Sequence, residues 1–245
     1  MKRVKLTVAY DGTAYHGWQF QPGQPTIEGV LNWALEDLLN EDTEVIGASR
    51  TDTGVHALGN VCVFDTESRI PGEKFAAALN ARLPEDIRIM ESEECAPDFH
   101  PRYDAHDKIY EYRITRARIM PPTKRLYSTH IYYPLDVQRM REAASYLVGR
   151  HDFAAFCSAG STVKDTVRTV IAVDVLEENE DIVIRVKGEG FLYNMVRIIA
   201  GTLINVGSGR MKPGDVKNAV LGASRELAGP TAPAQGLTLM EINYD

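Results

Sequence analysis

One polar segment of the sequence combines residue types that can carry out acid–base or nucleophilic chemistry. Residues 47–57 read Gly-Ala-Ser-Arg-Thr-Asp-Thr-Gly-Val-His-Ala and lie between two stretches of strand-like composition. We expect a loop there, and loops held by a rigid sheet are common sites of catalytic groups. Arg50 and Asp52 are two positions apart, and Gly54 gives the backbone extra freedom. Spacing alone nevertheless favours a plainer interpretation, in which Asp52 bonds its own turn and Arg50 is a surface charge.

Other common catalytic signatures are missing from the sequence. There is no GxxxxGK[ST] phosphate loop, no GxSxG nucleophile elbow, and none of the six histidines has metal-ligand spacing with another. Gly188-Glu189-Gly190 precedes a helix but lacks the third glycine of a dinucleotide site, so it predicts close packing or a bulge. We therefore expect no metal site and no nucleotide cofactor.

Composition predicts a soluble globular protein of the reducing cytoplasm. The 245 residues are 44% hydrophobic and 25% charged, and no run of about 18 apolar residues predicts a membrane span. The N-terminus lacks an apolar stretch ending in a small-residue cleavage site, so we expect no signal peptide. The three cysteines are far apart and show no CxxC spacing, which disfavours disulfides.

Basic residues are concentrated in one part of an acidic chain. The formal net charge is −7, which by itself argues mildly against a nucleic-acid partner, yet residues 108–125 contain six basic residues and one acid. This window could be a solvated strand face and turn, or it could contact phosphates. The candidates for phosphate contacts are Arg116, Arg118, Lys124 and Arg125.

Hydrophobic periodicity predicts the elements that must position these segments. The predicted helices cover 26–39 (capped by Thr26), 71–82, 136–148 (ended by Gly149), 192–206 and 213–221. The predicted strands cover 3–10, 44–47, 60–66, 87–92, 108–116, 166–177, 181–188 and 237–244. This order predicts an α+β fold in which two similar α/β halves, 1–116 and 136–245, form a largely antiparallel central sheet with helices packed on it. Residues 117–135 are the predicted connecting loop.

The polar segment and five further motifs resemble one family, in the order in which that family has them. The segment is similar to the signature Gly-Arg-Thr-Asp-Ala-Gly-Val-His of the TruA family of tRNA pseudouridine synthases, with Ser49 and Thr53 as departures. The other matching motifs are Tyr10-Asp11-Gly12 with Tyr15-His16-Gly17-Trp18-Gln19, Asp98-Phe99-His100-Pro101-Arg102, Lys108-Ile109-Tyr110-Glu111-Tyr112, Phe191-Leu192-Tyr193-Asn194-Met195-Val196-Arg197 and Gly236-Leu237-Thr238-Leu239. The resemblance extends along nearly the whole chain.

The resemblance implies an isomerase with the pseudouridine synthase fold. Such an enzyme detaches uracil from its ribose, rotates it and rejoins it through carbon 5, at tRNA positions 38 to 40 of the anticodon arm. No metal or cofactor is implied, and the expected partners are tRNA and a second copy of the chain. Asp52 is then the catalytic carboxylate, acting either by nucleophilic attack or by removing the sugar C2′ proton; the sequence leaves both routes open.

The resemblance also assigns three supporting residues. Burial alone would disfavour an ionised carboxylate, so a cation should accompany Asp52, and Arg197 is the candidate. Tyr110 matches the active-site tyrosine, which could stack on the uracil, although Tyr112 has the same parity on the strand. Arg50 could contact phosphate or fill the gap that the flipped base leaves.

Two other functions remain as alternatives at this point. A non-catalytic RNA-binding module could share the fold, but it would not need Asp52, Tyr110 and Arg197 together. A glycoside hydrolase would need a second carboxylate beside Asp52, and the only nearby candidate in the motifs, Asp11, is not evidently paired with it.

Overall fold

The fold is a mixture of helices and mostly antiparallel strands. The computed structural model describes residues 1–160 and 163–244. The helices are α1 (Ile27–Leu39), α2 (Phe75–Asn80), α3 (Val137–Ser145), α4 (Met195–Gly207) and α5 (Pro213–Gly222). The strands are β1 (Lys2–Tyr10), β2 (Ile46–Gly47), β3 (His56–Thr66), β4 (Ile87–Cys95), β5 (Asp107–Thr115), β6 (Thr129–His130), β7 (Gly149–Asp152), β8 (Val167–Glu178), β9 (Asp181–Gly188) and β10 (Leu237–Asn243). The predicted α+β class is confirmed.

The chain divides into two compact units. The first unit comprises Met1–His106 with Thr238–Asp245, and the second comprises Asp107–Leu237. The boundaries differ from those of the two halves expected from the sequence. Strand β5 belongs to the second unit, whereas nearly all of β10 belongs to the first, because β10 pairs with β3.

The first unit contains a sheet in the order β4-β1-β3-β10. Strand β1 is antiparallel to both of its neighbours, and β10 runs parallel to β3. Side chains of β1 alternate, with Val4, Leu6 and Val8 buried, as a strand with one core-facing side requires. Helix α1 begins where Thr26 Oγ1 accepts a hydrogen bond from the Gly29 amide at 3.3 Å, which confirms the predicted cap.

The second unit contains a sheet in the order β5-β9-β8-β7. All three pairings are antiparallel, and β6 adds a short parallel pairing to β5. Helix α4 is buried on nearly all sides, which explains its almost continuous apolar sequence. Among the described residues, no helix is both long and apolar enough to cross a membrane.

Several element boundaries differ from the sequence predictions. Strand β3 begins at His56 rather than at residue 60, and α2 is shorter than predicted because a 3-10 turn occupies Gly72–Lys74. Gly149 begins strand β7, which was not predicted, instead of ending a helix. Close packing or a bulge was expected at Gly188-Glu189-Gly190, and the neighbouring strand β8 shifts register between Val170 and Ala172, opposite Gly188.

Candidate active site

The segment that carries Asp52 is a loop of the first unit, as expected, and its backbone is anchored at several points. We call residues 48–55 the Asp52 loop. The Ala48 amide donates to Val61 O at 2.8 Å, where the loop leaves β2. The Thr51 carbonyl accepts from the Trp18 amide at 3.0 Å, and the Gly54 amide donates to Tyr15 O at 3.3 Å. Backbone groups of the segment 15–18 therefore hold the loop at two points.

A tight turn directly follows the catalytic candidate. The Val55 amide donates to Asp52 O at 3.1 Å, and Gly54 has φ +76°, as the third residue of a type II turn requires. Gly17, with φ +83°, lies against the other side of the loop, where a Cβ atom would lie 2.5 Å from Thr51 O. Asp52 is half-buried and Arg50 is exposed.

His56 follows the loop and links it to the Asp11 turn. His56 is buried, and its Nδ1 accepts a hydrogen bond from the Gly12 amide at 3.0 Å. Asp11 Oδ1 lies 3.2 Å from the same Nδ1 and accepts from the Thr13 amide at 2.9 Å. The Asp11 carboxylate thus caps its own turn, which disfavours its use as the second carboxylate of a glycosidase.

Tyr110 and Tyr112 lie on β5 in the second unit and have different surroundings. The Tyr110 ring packs edge-on against Phe191, with centroids 5.3 Å apart. The Tyr112 hydroxyl donates to Pro233 O at 2.9 Å and lies 2.5 Å from Thr129 Oγ1, and burial raises the pKa of Tyr112 to about 12. The Tyr112 hydroxyl therefore links β5 to β6 and to the segment that contains Pro233, all within the second unit.

Arg197 lies in the first turn of α4, and two hydrogen bonds orient its guanidinium. Its Nε donates to Ala232 O at 2.8 Å and its Nη1 donates to Asn194 Oδ1 at 2.7 Å. Asn194 precedes α4 with φ +60°, a left-handed conformation that asparagine tolerates better than most residues. The side chain is half-buried, so a cation is held in a fixed position with limited access to water.

Two of the four candidate phosphate contacts form ion pairs inside the second unit. Arg116 Nη1 lies 3.2 Å from a carboxylate oxygen of Glu177, and Lys124 Nζ lies 2.9 Å from each oxygen of Asp181. Arg118 and Arg125 are exposed, and Arg125 donates to Pro122 O in its own turn at 2.8 Å. Acidic residues at 177–181 thus offset much of the positive excess of the basic window.

The predicted site residues are distributed over both units. Arg50 and Asp52 belong to the first, and Tyr110, Arg197 and the four basic candidates belong to the second. Within the described ranges, no cluster of three or more His, Cys, Asp or Glu side chains could hold a metal ion. Sequence analysis did not single out Asn60, which is buried against the Asp52 loop. An amide at the start of an otherwise apolar strand segment was the available signal.

Comparison with known proteins shows the family to which this chain belongs. A family model described as tRNA pseudouridine synthase matches residues 6–104 and 143–245, and both the Asp52 loop and Arg197 lie within the matched residues. The chain belongs to the tRNA pseudouridine synthase family. Members of this family are isomerases, so the resemblance seen in the motifs is confirmed.

Close relatives in the tRNA pseudouridine synthase family match the chain from end to end. It is 47% identical over 245 residues to tRNA pseudouridine synthase A of Thermoanaerobacter sp. (strain X514), with 100% of both chains covered. It is 48% identical over 245 residues to the Ruminiclostridium cellulolyticum protein of the same name, again with 100% of both chains covered. It is also 48% identical to tRNA pseudouridine synthase A 2 of Clostridium tetani, over 100% of this chain and 99% of that one.

Proposed function

We propose that the protein converts uridine to pseudouridine at positions 38 to 40 of the tRNA anticodon arm, with Asp52 as its catalytic carboxylate and without a cofactor. The observation that carries the proposal is the anchored Asp52 loop. Its sequence resembles the family signature, and hydrogen bonds from Trp18 and to Tyr15 hold the backbone on either side of Asp52. The family match supports the reaction, and the relatives' names support tRNA as the substrate.

The reaction breaks a glycosidic bond and forms a carbon–carbon bond at the same sugar carbon. A carboxylate can do this work by attacking the sugar or the base, or by removing the C2′ proton to form a glycal. In either route Asp52 must be ionised and held at a fixed place relative to the ribose. The turn formed by residues 52–55 serves that requirement, because it fixes the backbone from which the carboxylate projects.

Arg197, Tyr110 and Arg50 complete the proposed machinery. Arg197 supplies a positive charge that favours the ionised catalytic carboxylate, and its bonds to Ala232 and Asn194 keep the guanidinium from reorganising during the reaction. Tyr110 stacks on the flipped uracil, and its hydroxyl relays the proton that leaves carbon 5. Arg50 is exposed, as a residue that contacts RNA must be.

We further propose that the enzyme is a cytoplasmic homodimer in which one tRNA contacts both subunits. The family resemblance supports the dimer, and the spaced cysteines support the compartment; all three are free thiols. Sedimentation equilibrium of the purified protein, with and without tRNA, tests the assembly. A monomer at micromolar concentration would contradict it.

Release of tritium from tRNA labelled at uracil C5 tests the reaction, and Asp52→Asn tests the assigned residue. The wild type should release tritium without hydrolysing the tRNA to an abasic site. Asp52→Asn should release none yet bind tRNA with nearly unchanged affinity, because the substitution preserves shape and removes only the charge. Asp42→Asn, at an exposed position of the same unit, is the matched control and should keep full activity.

The same experiment separates the alternatives. A non-catalytic RNA-binding module would bind tRNA and release no tritium even as wild type. A glycoside hydrolase would leave abasic ribose and free uracil instead of pseudouridine. Turnover by Asp52→Asn above a few per cent of wild type would remove Asp52 from the mechanism.

A further inference from the structure

A chain of buried polar groups connects the Asp52 loop to strands β1 and β3. Tyr10, Thr51 and Asn60 are 5%, 7% and 0% exposed. The Asn60 side-chain amide donates to the Tyr10 hydroxyl at 3.3 Å, and the Tyr10 hydroxyl lies 2.7 Å from Thr51 Oγ1. All three residues belong to the first unit.

Asn60 also bonds the loop backbone. Its Nδ2 donates to Ser49 O at 3.0 Å, so both amide hydrogens point at groups that belong to the loop or are bonded to it. Its Oδ1 accepts from the Val61 amide at 3.0 Å, which fixes the orientation of the side chain. Because the amide gives its hydrogen to Tyr10, the tyrosine hydroxyl can in turn donate to Thr51.

We propose that Tyr10, Thr51 and Asn60 form a positioning network for the catalytic carboxylate. The network fixes Ser49 and Thr51, the residues on either side of Arg50, and Asp52 is the next residue along the chain. A buried polar group that loses its partner is costly, so the network restricts the loop to the arrangement that satisfies every member. The inference rests on the proposed role of Asp52.

The chemistry of the three residues fits positioning better than simple filling of the core. Apolar side chains of similar size could occupy these places with less desolvation cost, as Val4, Leu6 and Val8 do at the buried positions of β1. The Nδ2 atom of Asn60 instead donates to a carbonyl of the loop, Ser49 O, and to the Tyr10 hydroxyl. The Trp18 amide fixes Thr51 from the backbone at 3.0 Å, so this residue is held through both its carbonyl and its side chain.

Variants that differ by one hydroxyl group test the network. Tyr10→Phe keeps a ring beside Trp18, and Thr51→Val keeps the shape of threonine. We expect each to lower the single-turnover rate at saturating enzyme by about 10- to 100-fold, with tRNA affinity nearly unchanged, because small misplacements of a reacting group reduce rates on this scale. Thr51→Ser, which keeps the hydroxyl, should restore most of the rate.

Tyr244→Phe is the matched control. It removes a tyrosine hydroxyl of the same unit that donates to Pro101 O at 2.6 Å and does not bond the loop. The control should keep the wild-type rate even if its melting temperature falls as far as that of Tyr10→Phe. A single-turnover rate does not depend on the folded fraction as long as the folded enzyme remains saturating, so a rate that stays low when the enzyme concentration is raised further is not caused by a loss of stability.

Two outcomes would overturn the inference, and they are distinguishable. If Tyr10→Phe and Thr51→Val react at the wild-type rate while Asp52→Asn is inactive, the network only stabilises the fold and Asp52 keeps its proposed role. If Asp52→Asn is itself active, the proposed catalytic role of Asp52 fails, and the positioning role fails with it.

Discussion

The sequence alone does not distinguish the roles of the two tyrosines on β5. Tyr110 and Tyr112 share a face of β5, so their alternation is the same and only the family resemblance favoured Tyr110. The structure adds an observation about one of them: the Tyr112 hydroxyl is bonded to Pro233 and lies beside Thr129, and both partners are in the same unit. The expected roles of the two tyrosines can therefore be tested separately.

We predict opposite phenotypes for the two tyrosine-to-phenylalanine variants. Tyr112→Phe leaves the Pro233 carbonyl without its donor and should lower the free energy of unfolding by about 1–3 kcal/mol, with turnover of the folded enzyme nearly normal. Tyr110→Phe keeps the contact with Phe191 and should slow turnover strongly while tRNA binding persists. Denaturant unfolding and tritium release measure the two effects. A fully active Tyr110→Phe would limit Tyr110 to stacking.

Arg197 gives a second prediction at this scale. Arg197→Met removes the proposed cation, which favours the protonated carboxyl, so the acid limb of the pH–rate profile should move to higher pH by about one to three units. The alkaline limb should stay in place. Because the variant also loses the bonds to Asn194 and Ala232, its folding must be verified by thermal unfolding. An unmoved acid limb in a folded variant would contradict the pairing.

The site was predictable from the sequence only in part. The spacing of Arg50 and Asp52 did not distinguish a catalytic loop from an ordinary turn, and the family resemblance supplied the assignment. Asn60 was not identified because its role depends on the carbonyl of Ser49 and the hydroxyl of Tyr10, which the folded chain brings to it from different elements. Local patterns contain no information about such partners.

Among the elements, those with their own periodicity were predicted best. Strand β1 and helix α1 agree with expectation because their buried residues recur at the spacing of a strand and of a helix. The start of β3 was missed because residues 56–59 have little strand propensity and are held in the sheet by their neighbours β1 and β10. Strand β7 was missed because its four residues are held in the sheet by pairing with β8, which the local sequence does not show.

The basic window yields a prediction at the scale of one segment. Arg118 and Arg125 are exposed, whereas Arg116 and Lys124 are engaged with Glu177 and Asp181. If the window contacts phosphates, Arg118→Gln and Arg125→Gln should each lower the log–log slope of tRNA affinity against salt by roughly 0.7 to 1. Substitution of Arg116 should lower the slope less, because Glu177 already pairs with this arginine.

Lys217→Gln is the control for this experiment. It removes the same charge from an exposed position on α5, outside the window, and should leave the slope unchanged. If the Arg118 and Arg125 variants behave like Lys217→Gln, the window is a solvated surface and the RNA-binding residues lie elsewhere.

At the scale of the whole molecule, each unit contains at least one tyrosine whose pKa is raised. Burial raises the pKa of Tyr15 and Tyr244 in the first unit and that of Tyr112, to about 12, in the second. Unfolded tyrosines titrate near 10, so the folded state binds these protons more tightly. The resulting stabilisation is fully present below about pH 10 and is lost as pH rises toward the folded-state values.

We therefore predict a steep fall in melting temperature between about pH 10 and pH 12. Tyr112→Phe should make that fall shallower, because one of the groups that must ionise is gone. Tyr132→Phe, at an exposed position, should follow the wild-type curve. Parallel curves for wild type and Tyr112→Phe would show that burial of this hydroxyl does not contribute to the alkaline limit.

The parallel pairing of β10 with β3 affects when the protein matures during translation. Thr238 and Leu239 pair with His56 and Ala57, the residues that directly follow the Asp52 loop. A ribosome makes the Asp52 loop early, but the strand that completes its sheet is made only after the whole second unit. A nascent chain halted before residue 237 thus has Asp52, the proposed catalytic residue, without its finished support. Activity should therefore appear late in synthesis. A protease that removes β10 should inactivate the enzyme although Asp52, Tyr110 and Arg197 all remain in the chain.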